Sequence, residues 1–192
     1  MEEIEAKFLE IDIKKIIEKL ESLGAKKNFD IIYRRRVFDF PNDSLESNHS
    51  WLRLRDEGDQ ITLSYKKRFG VGENLNDLGM NETEIIVSDF NKTADILLSI
   101  GMIEKFYEEN KRLKYTLDEV EFCIDEWPLI PPYLEIEGRN WAEVENMAIK
   151  LDLNWREHIR CSTMQIYKHY GINEKEYSVL TFEEQTKNTQ NT

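Results

Sequence analysis

Glu3-Ile4-Glu5-Ala6-Lys7, almost at the start of the chain, sets charges at alternate positions. A strand puts residues i, i+2 and i+4 on one face. Read as a strand, the run turns two carboxylates and one ammonium the same way, backed by Ile4, Ala6 and Phe8. Charge on a face that would normally be apolar needs a hydrated or metal-filled interior. One such run is weak evidence, and its weight depends on whether other strands repeat it.

They do. In Trp51-Leu-Arg-Leu-Arg55, Arg53 and Arg55 alternate with leucines; Thr62, Ser64 and Lys66 share one face of the next strand, opposite Ile61, Leu63 and Tyr65. Glu82 and Glu84 lie opposite Thr83 and Ile85, Asn110, Arg112 and Lys114 alternate with Leu113 and Tyr115, and Glu135 and Glu137 alternate with Leu134 and Ile136. An antiparallel sheet with one face in solvent explains any one of these strands. Solvent faces usually mix Lys, Glu, Thr and Gln, whereas these are sorted by sign. The sorting fits a closed barrel with a polar lumen better, its outside covered by helices and its inside holding cations opposite acids. In such a lumen acidic pairs supply hard oxygen ligands for Mg²⁺ or Mn²⁺. Arginines and lysines bind phosphate oxygens, Arg as a fork and Lys as a point charge. A polyphosphate held by metal on one side and cations on the other suits phosphoryl transfer, because the metal offsets developing charge.

The remaining sequence bounds this reading. A chain of 192 residues, 40% hydrophobic and 33% charged, is long enough for one domain with a real core. A net charge of −12 argues against a nucleic-acid partner, since duplex binding relies on positive surface. No apolar run approaches the roughly 18 residues of a membrane helix, and Met1 is followed by Glu2 and Glu3, so a cytoplasmic protein without a membrane partner is expected. Cys123 and Cys161 make neither a metal-ligand spacing nor a disulfide framework, and the three histidines are scattered. Helices are predicted at Asp12 to Leu23, Lys92 to Ile100, Trp141 to Leu151 (with Asn140 and Glu143 as a capping box) and about 155–170. Strands are predicted at 3–11, 31–40, 51–56, 60–68, 82–88, 107–117, 120–126 and 133–138, with turns at Glu57-Gly58-Asp59 and along Gly70 to Gly79. One domain is expected over 1–172, followed by a frayed polar tail over 173–192. Ser22-Leu23-Gly24, Phe29 and Arg35 recur 77 residues later as Ser99-Ile100-Gly101, Phe106 and Arg112, a match open to duplication or chance. It makes Arg35 a cradle candidate, with Arg34 and Arg36 turned outward.

The ordered set of motifs resembles the CYTH domains, or triphosphate tunnel metalloenzymes, a family that includes class IV adenylate cyclases, thiamine triphosphatases and inorganic tripolyphosphatases. The resemblance rests on E-x-E-x-K (Glu3, Glu5, Lys7), L-R-L-R (Leu52 to Arg55) and T-x-x-x-K (Thr62 to Lys66). It continues through E-x-E (Glu82, Glu84), a K-x-R-x-x-Y strand, a strand-end Asp (Asp125) and a second E-x-E (Glu135, Glu137). It implies an α+β fold, a closed eight-stranded antiparallel β-barrel with helices packed outside. By the same resemblance Glu3, Glu5, Glu135 and Glu137 form the metal side, and Lys7, Arg53, Arg55, Lys66 and Arg112 the triphosphate cradle. Glu82 and Glu84, with Asp125, would bind a second metal or orient the cations. The chain departs at Asn110, which stands where the family has Lys, and at Trp127-Pro-Leu-Ile-Pro-Pro-Tyr133, which replaces a glycine-bearing turn and would alter the tunnel rim.

The implied activity is a Mg²⁺- or Mn²⁺-dependent triphosphatase acting on an inorganic or organic triphosphate, with Lys66 or Lys7 helping to activate water. A cyclase producing cyclic AMP and pyrophosphate is the alternative, and a non-catalytic polyphosphate-binding module is the reading from another class. A homodimer stays open. Trp51, Trp141 and Trp155 read as packing residues, and Trp127 as either a packing or a rim residue.

Overall fold

The computed structural model describes residues 4–68 and 80–188. The elements run β1 (Glu5–Leu9), α1 (Ile13–Ser22), β2 (Lys26–Asp39), β3 (Ser50–Asp56), β4 (Ile61–Arg68) and β5 (Met80–Val87). They continue with α2 (Phe90–Ser99), β6 (Ile103–Leu117), β7 (Val120–Trp127), β8 (Ile130–Glu137), α3 (Trp141–Lys150), α4 (Thr163–His169), β9 (Tyr177–Leu180) and β10 (Gln185–Lys187). The result is an α+β fold rich in antiparallel sheet. No helix among the described residues is long and apolar enough to cross a membrane.

The chain divides into two compact units, residues up to Ile31 with Asn110–Glu174, and Ile32–Glu109 with the C-terminal segment from Lys175. In the first, β1 pairs with β8, β8 with β7, and β7 with β6, all antiparallel. Where these strands pair, apolar residues recur at alternate positions, and Ala6, Phe8, Leu113, Tyr115, Phe122, Ile124, Leu134 and Ile136 make one buried face. Ile16 and Leu20 of α1 and Val144, Met147 and Ala148 of α3 complete that core. In the second unit, β2, β3, β4 and β5 pair in order, antiparallel. Phe38 and Leu54 pack there against Phe90, Ala94 and Leu97 of α2.

Each helix starts on a side-chain cap, which supplies an acceptor for backbone N–H groups that the first turn leaves unpaired. Asp12, Asp89, Asn140 and Ser162 accept from Lys15, Lys92, Glu143 and Gln165. The four described helices also close alike, in the pattern of a left-handed residue after the last turn. Gly24 (φ 83°) and Gly101 (φ 94°) occupy that position. Ala25 N–H then reaches Leu20 O at 2.9 Å, and Met102 N–H reaches Leu97 O at 3.1 Å. The 77-residue sequence match thus corresponds to the same local closure twice.

Several expectations need correction. The hydrogen-bonded order β1-β8-β7-β6-β2-β3-β4-β5 has two ends among the described residues, so these pairings do not amount to the closed barrel. Residues 173–192 do not form a frayed tail as far as residue 188: β9 pairs in parallel with Tyr107–Glu108 and β10 returns against it. Leu180 and Thr181 are buried there, an anchorage hidden by the polar composition. The fourth helix covers only Thr163–His169, because the true cap is Ser162, which forms a capping box with Gln165. At α3 the box is incomplete, since the Glu143 carboxylate accepts from Arg139 N–H instead. The second helix starts at Phe90, the cap being Asp89. Trp127 to Tyr133 is a tight hairpin turning on Pro128-Leu129, with Trp127 opposite Ile130 and Leu129 at φ 68°. Trp127 is buried edge-on against Tyr167, a packing residue. The Gly70 to Gly79 stretch lies outside the described residues.

Candidate functional site

The polar face of the first unit follows from strand register. Glu5 lies opposite Glu137 and Lys7 opposite Glu135. Glu135 lies opposite Cys123 and Glu137 opposite Glu121, while Asp125 lies opposite Arg112. Directly opposed residues project to the same side, so these groups share the face behind which the apolar core packs. Arg112 donates from Nε to Asp125 Oδ1 at 2.7 Å and from a terminal nitrogen to Asp125 Oδ2 at 2.5 Å and Glu135 Oε2 at 2.7 Å. Burial opposes the charge on Arg112, but the bonds to Asp125 and the charges of Asp125 and Glu135 outweigh it and raise the pKa. Lys7 Nζ reaches Glu135 Oε1 at 3.0 Å and also pairs with Glu5. Glu135 is thus clamped between two cations. Asp125 is fully buried and orients Arg112. Asn110, buried, donates to the same Asp125 oxygen at 3.4 Å, so the departure from lysine becomes a support for Asp125.

Glu5, Glu137 and Glu121 form a row of carboxylates across β1, β8 and β7. Like charges directly opposed destabilise a sheet, and Lys7 beside Glu5 and Lys114 at 2.6 Å from Glu121 offset part of that repulsion. A hard divalent cation fits such oxygen donors. Glu3, which would extend the row, lies outside the described residues.

The polar face of the second unit gathers cations. Arg35 lies opposite Arg55, Arg55 opposite Thr62, Arg53 opposite Ser64, and Ser64 opposite Glu84. Lys66 lies opposite Glu82, whose carboxylate is 3.0 Å from Lys66 Nζ. Arg34 and Arg36 take the other face and lie over the Phe90 ring at 5.5 and 5.1 Å, as the alternation required. Arg53 is poorly satisfied: Glu82 and Glu84 are 3.6 and 3.9 Å away, and its buried Nε has no hydrogen-bond partner among the described residues. Burial first, then the charges of Arg55 and Arg35, push its pKa down to about 10. Burial and Arg53 likewise lower the Lys66 pKa, against the hydrogen bond to Glu82. Glu82, though partly desolvated, is held below the usual carboxylate range by Lys66 and Arg53. Glu82 and Glu84 therefore orient cations here, Glu84 through Ser64 and Arg53.

Sequence reasoning missed Glu57, Glu108 and Glu121, and placed Ser64 on the polar face without its partner. Glu57 accepts from Arg55 Nε at 2.6 Å, and Glu108 stands 3.4 Å from Arg35. Glu121 joins the carboxylate row, and Ser64 donates to Glu84. Glu57 was legible as the residue two beyond Arg55, but it falls in a turn where the alternation ends. Asp39, Asp43 and Glu46 also converge, with carboxylate oxygens within 4.8 Å of one another. Their charge is accounted for: Asp39 accepts from the N–H groups of Phe40, Leu45 and Glu46, Asp43 meets Lys105 at 2.6 Å, and Glu46 meets Lys175 at 3.1 Å.

The CYTH domain family model matches residues 1–164. No curated protein matches the chain. Among solved structures, an adenylate cyclase candidate from Vibrio parahaemolyticus is 12% identical with a TM-score of 0.65, over 86% of this chain and 97% of that one. A protein from Pyrococcus horikoshii OT3 is 20% identical with a TM-score of 0.60, over 86% and 99%. An adenylyl cyclase candidate from Hippeastrum, for which a dominant triphosphatase activity is reported, is 16% identical with a TM-score of 0.57, over 88% and 96%. At these identities the structural likeness speaks for the fold, and the match over residues 1–164 speaks for the family: this chain belongs to the CYTH domain family.

Proposed function

We propose that this protein is a divalent-metal-dependent triphosphatase acting on an inorganic or organic triphosphate in a β-tunnel of the kind the family resemblance implies. The observation that carries the reading is Arg53. A guanidinium held among Arg35, Arg55 and Lys66, with a buried donor left unused among the described residues, is costly unless an anion completes it. Phosphate oxygens match that fork. The triphosphatase activity of the Hippeastrum relative supports the same choice over cyclisation.

In this reading Arg35, Arg53 and Arg55 hold the phosphates, and Lys7 and Arg112 keep Glu135 fixed. Glu5 and Glu137, with Glu3, Glu135 and Glu121 alongside, would hold Mg²⁺ or Mn²⁺, which when bound draws charge from phosphate oxygens. Lys66 has the lowered pKa that a proton acceptor needs. Its neutral amine takes a proton as water attacks the terminal phosphorus, and the bond to the bridging oxygen breaks with diphosphate leaving.

A panel of tripolyphosphate, ATP and thiamine triphosphate with Mg²⁺ or Mn²⁺ tests the reading, measuring phosphate, pyrophosphate and cyclic AMP separately. Orthophosphate release that stops on adding a chelator is expected. Cyclic AMP with pyrophosphate would replace hydrolysis by cyclisation, and saturable binding without product would make the chain a binding module.

The pH profile gives a second test. Deprotonated Lys66 is the active form, so kcat rises with pH toward a limit below the ordinary lysine range. Glu82 holds the ammonium form, by hydrogen bond and charge. Glu82→Gln should therefore move the ascending limb to lower pH. An unmoved limb in that variant would remove Lys66 from the proton-transfer role.

A further inference from the structure

The family match ends at residue 164, yet β9 and β10 lie beyond it and are built into the second unit. β9 joins β6 in parallel, Val179 opposite Tyr107 and Leu180 opposite Glu108. The hairpin is closed by its own bonds: Thr181 N–H donates to Glu184 O at 2.8 Å, Glu184 N–H to Thr181 Oγ1 at 2.9 Å, and Gln185 Nε2 to Thr181 O at 2.7 Å. Lys175, just before it, meets Glu46 at 3.1 Å, and Asn188 N–H closes the segment on Glu176 O at 2.7 Å. Leu180 is 3% exposed, so the strand is seated by burial as well as by its ladder.

What β9 seats is informative. Glu108 is the residue whose carboxylate stands 3.4 Å from Arg35, and the two side chains are only 14 and 15% exposed. An ion pair shielded from water on a supported strand holds its geometry better than one on a solvated edge. Directly paired residues project to one side, which sets Leu180 beside Glu108. We propose that the C-terminal hairpin is a positioning element for the phosphate cradle: β9 fixes Glu108, and Glu108 fixes the Arg35 guanidinium. Glu108 is thus a positioning residue, acting through Arg35. The inference rests on the triphosphate reading for its kinetic consequence alone, since the seating of Arg35 has its own observable.

Three chains test it: the unaltered protein, Glu108→Gln, and a chain lacking residues 177–192. Two readouts apply to each, the tripolyphosphate kinetics with Mg²⁺ and the Arg35 Nε–H resonance, assigned through Arg35→Lys. The expected result is a KM raised about 2- to 5-fold in both variants, as for loss of one modest ion pair, with the larger change in KM rather than kcat. The Arg35 resonance should shift or broaden in both, and Glu108→Asp should recover part of each effect. If the shortened chain does not fold, Leu180→Ser in the full chain takes its place. A KM and an Arg35 resonance unchanged by losing the hairpin would overturn the proposal. An unaltered protein that neither binds nor turns over tripolyphosphate would overturn the function reading, while the resonance would still decide whether β9 seats Arg35.

Discussion

Arg53→Met should reduce triphosphate turnover by about 10²- to 10³-fold, the usual cost of removing one donor aimed at developing phosphate charge, while leaving the protein as stable as before or more so. The two halves of that result come from one cause. Arg53 lies among Arg35, Arg55 and Lys66, its nearest carboxylates are 3.6 and 3.9 Å away, and burial already lowers its pKa. Methionine keeps much of the side-chain volume and removes both the desolvation and the repulsion. Replacing poorly compensated buried charge by an apolar side chain is commonly neutral or stabilising by about 1–4 kcal/mol. Glu82 keeps Lys66 and Glu84 keeps Ser64, so the change strands no carboxylate. Thermal unfolding and steady-state kinetics on one preparation decide the matter. A clear loss of stability with activity retained would mean that Arg53 serves the fold rather than an anion. Opposite signs for stability and activity would mark a residue kept for its ligand.

The sequence allowed much of this to be read because the relevant information has a period of two. Arg53, Arg55, Lys66, Glu82 and Glu84 lie on alternating strands, Arg35 came from its 77-residue match to Arg112, and register then sets them on one face. The same holds for Lys7, Arg112, Asp125, Glu135 and Glu137. Helix starts were visible where the cap precedes the apolar stripe, as at Asp12, and were missed where Asp89 lies three residues before the predicted start. What alternation could not convey is which acid meets which base. Asp125 as the partner of Arg112 depends on β6 and β7 being neighbours, and Glu57 as the partner of Arg55 depends on a turn. The C-terminal hairpin was hidden for a related reason. Its short apolar run, Tyr177 to Phe182, is embedded in polar sequence, and pairing with Tyr107 and Glu108 gives Leu180 somewhere to be buried. Residues 127–132 were left out of the predicted strands, whereas β7 runs to Trp127, β8 starts at Ile130, and Leu129 in the left-handed region makes that tight turn possible.

The largest loss of stability should come from Asp125→Ala. Asp125 is fully buried and accepts from two Arg112 nitrogens, at 2.7 and 2.5 Å, while Asn110 donates to it at 3.4 Å. Alanine would leave Arg112 with Glu135 alone and would unpair the buried Asn110 amide from this oxygen. Removing one partner of a buried pair costs about 3–5 kcal/mol, because the other charge stays buried and uncompensated. For a chain of this length about 2–4 °C of melting temperature accompanies each kcal/mol, so a fall on the order of 10 °C is expected. Asp125→Asn, which keeps an acceptor, should fall between. The half-exposed Lys111–Glu126 pair on the same two strands is the control, since its removal should cost about 1 kcal/mol or less. The double variant Arg112→Leu/Asp125→Leu separates fold from function. It removes both buried charges together, so stability should recover toward the unaltered protein while triphosphate turnover stays low because Glu135 has lost Arg112. A double variant as unstable as Asp125→Ala would show that Asp125 supports the strands through contacts other than Arg112. Recovered turnover would show that Arg112 lies outside the reacting site.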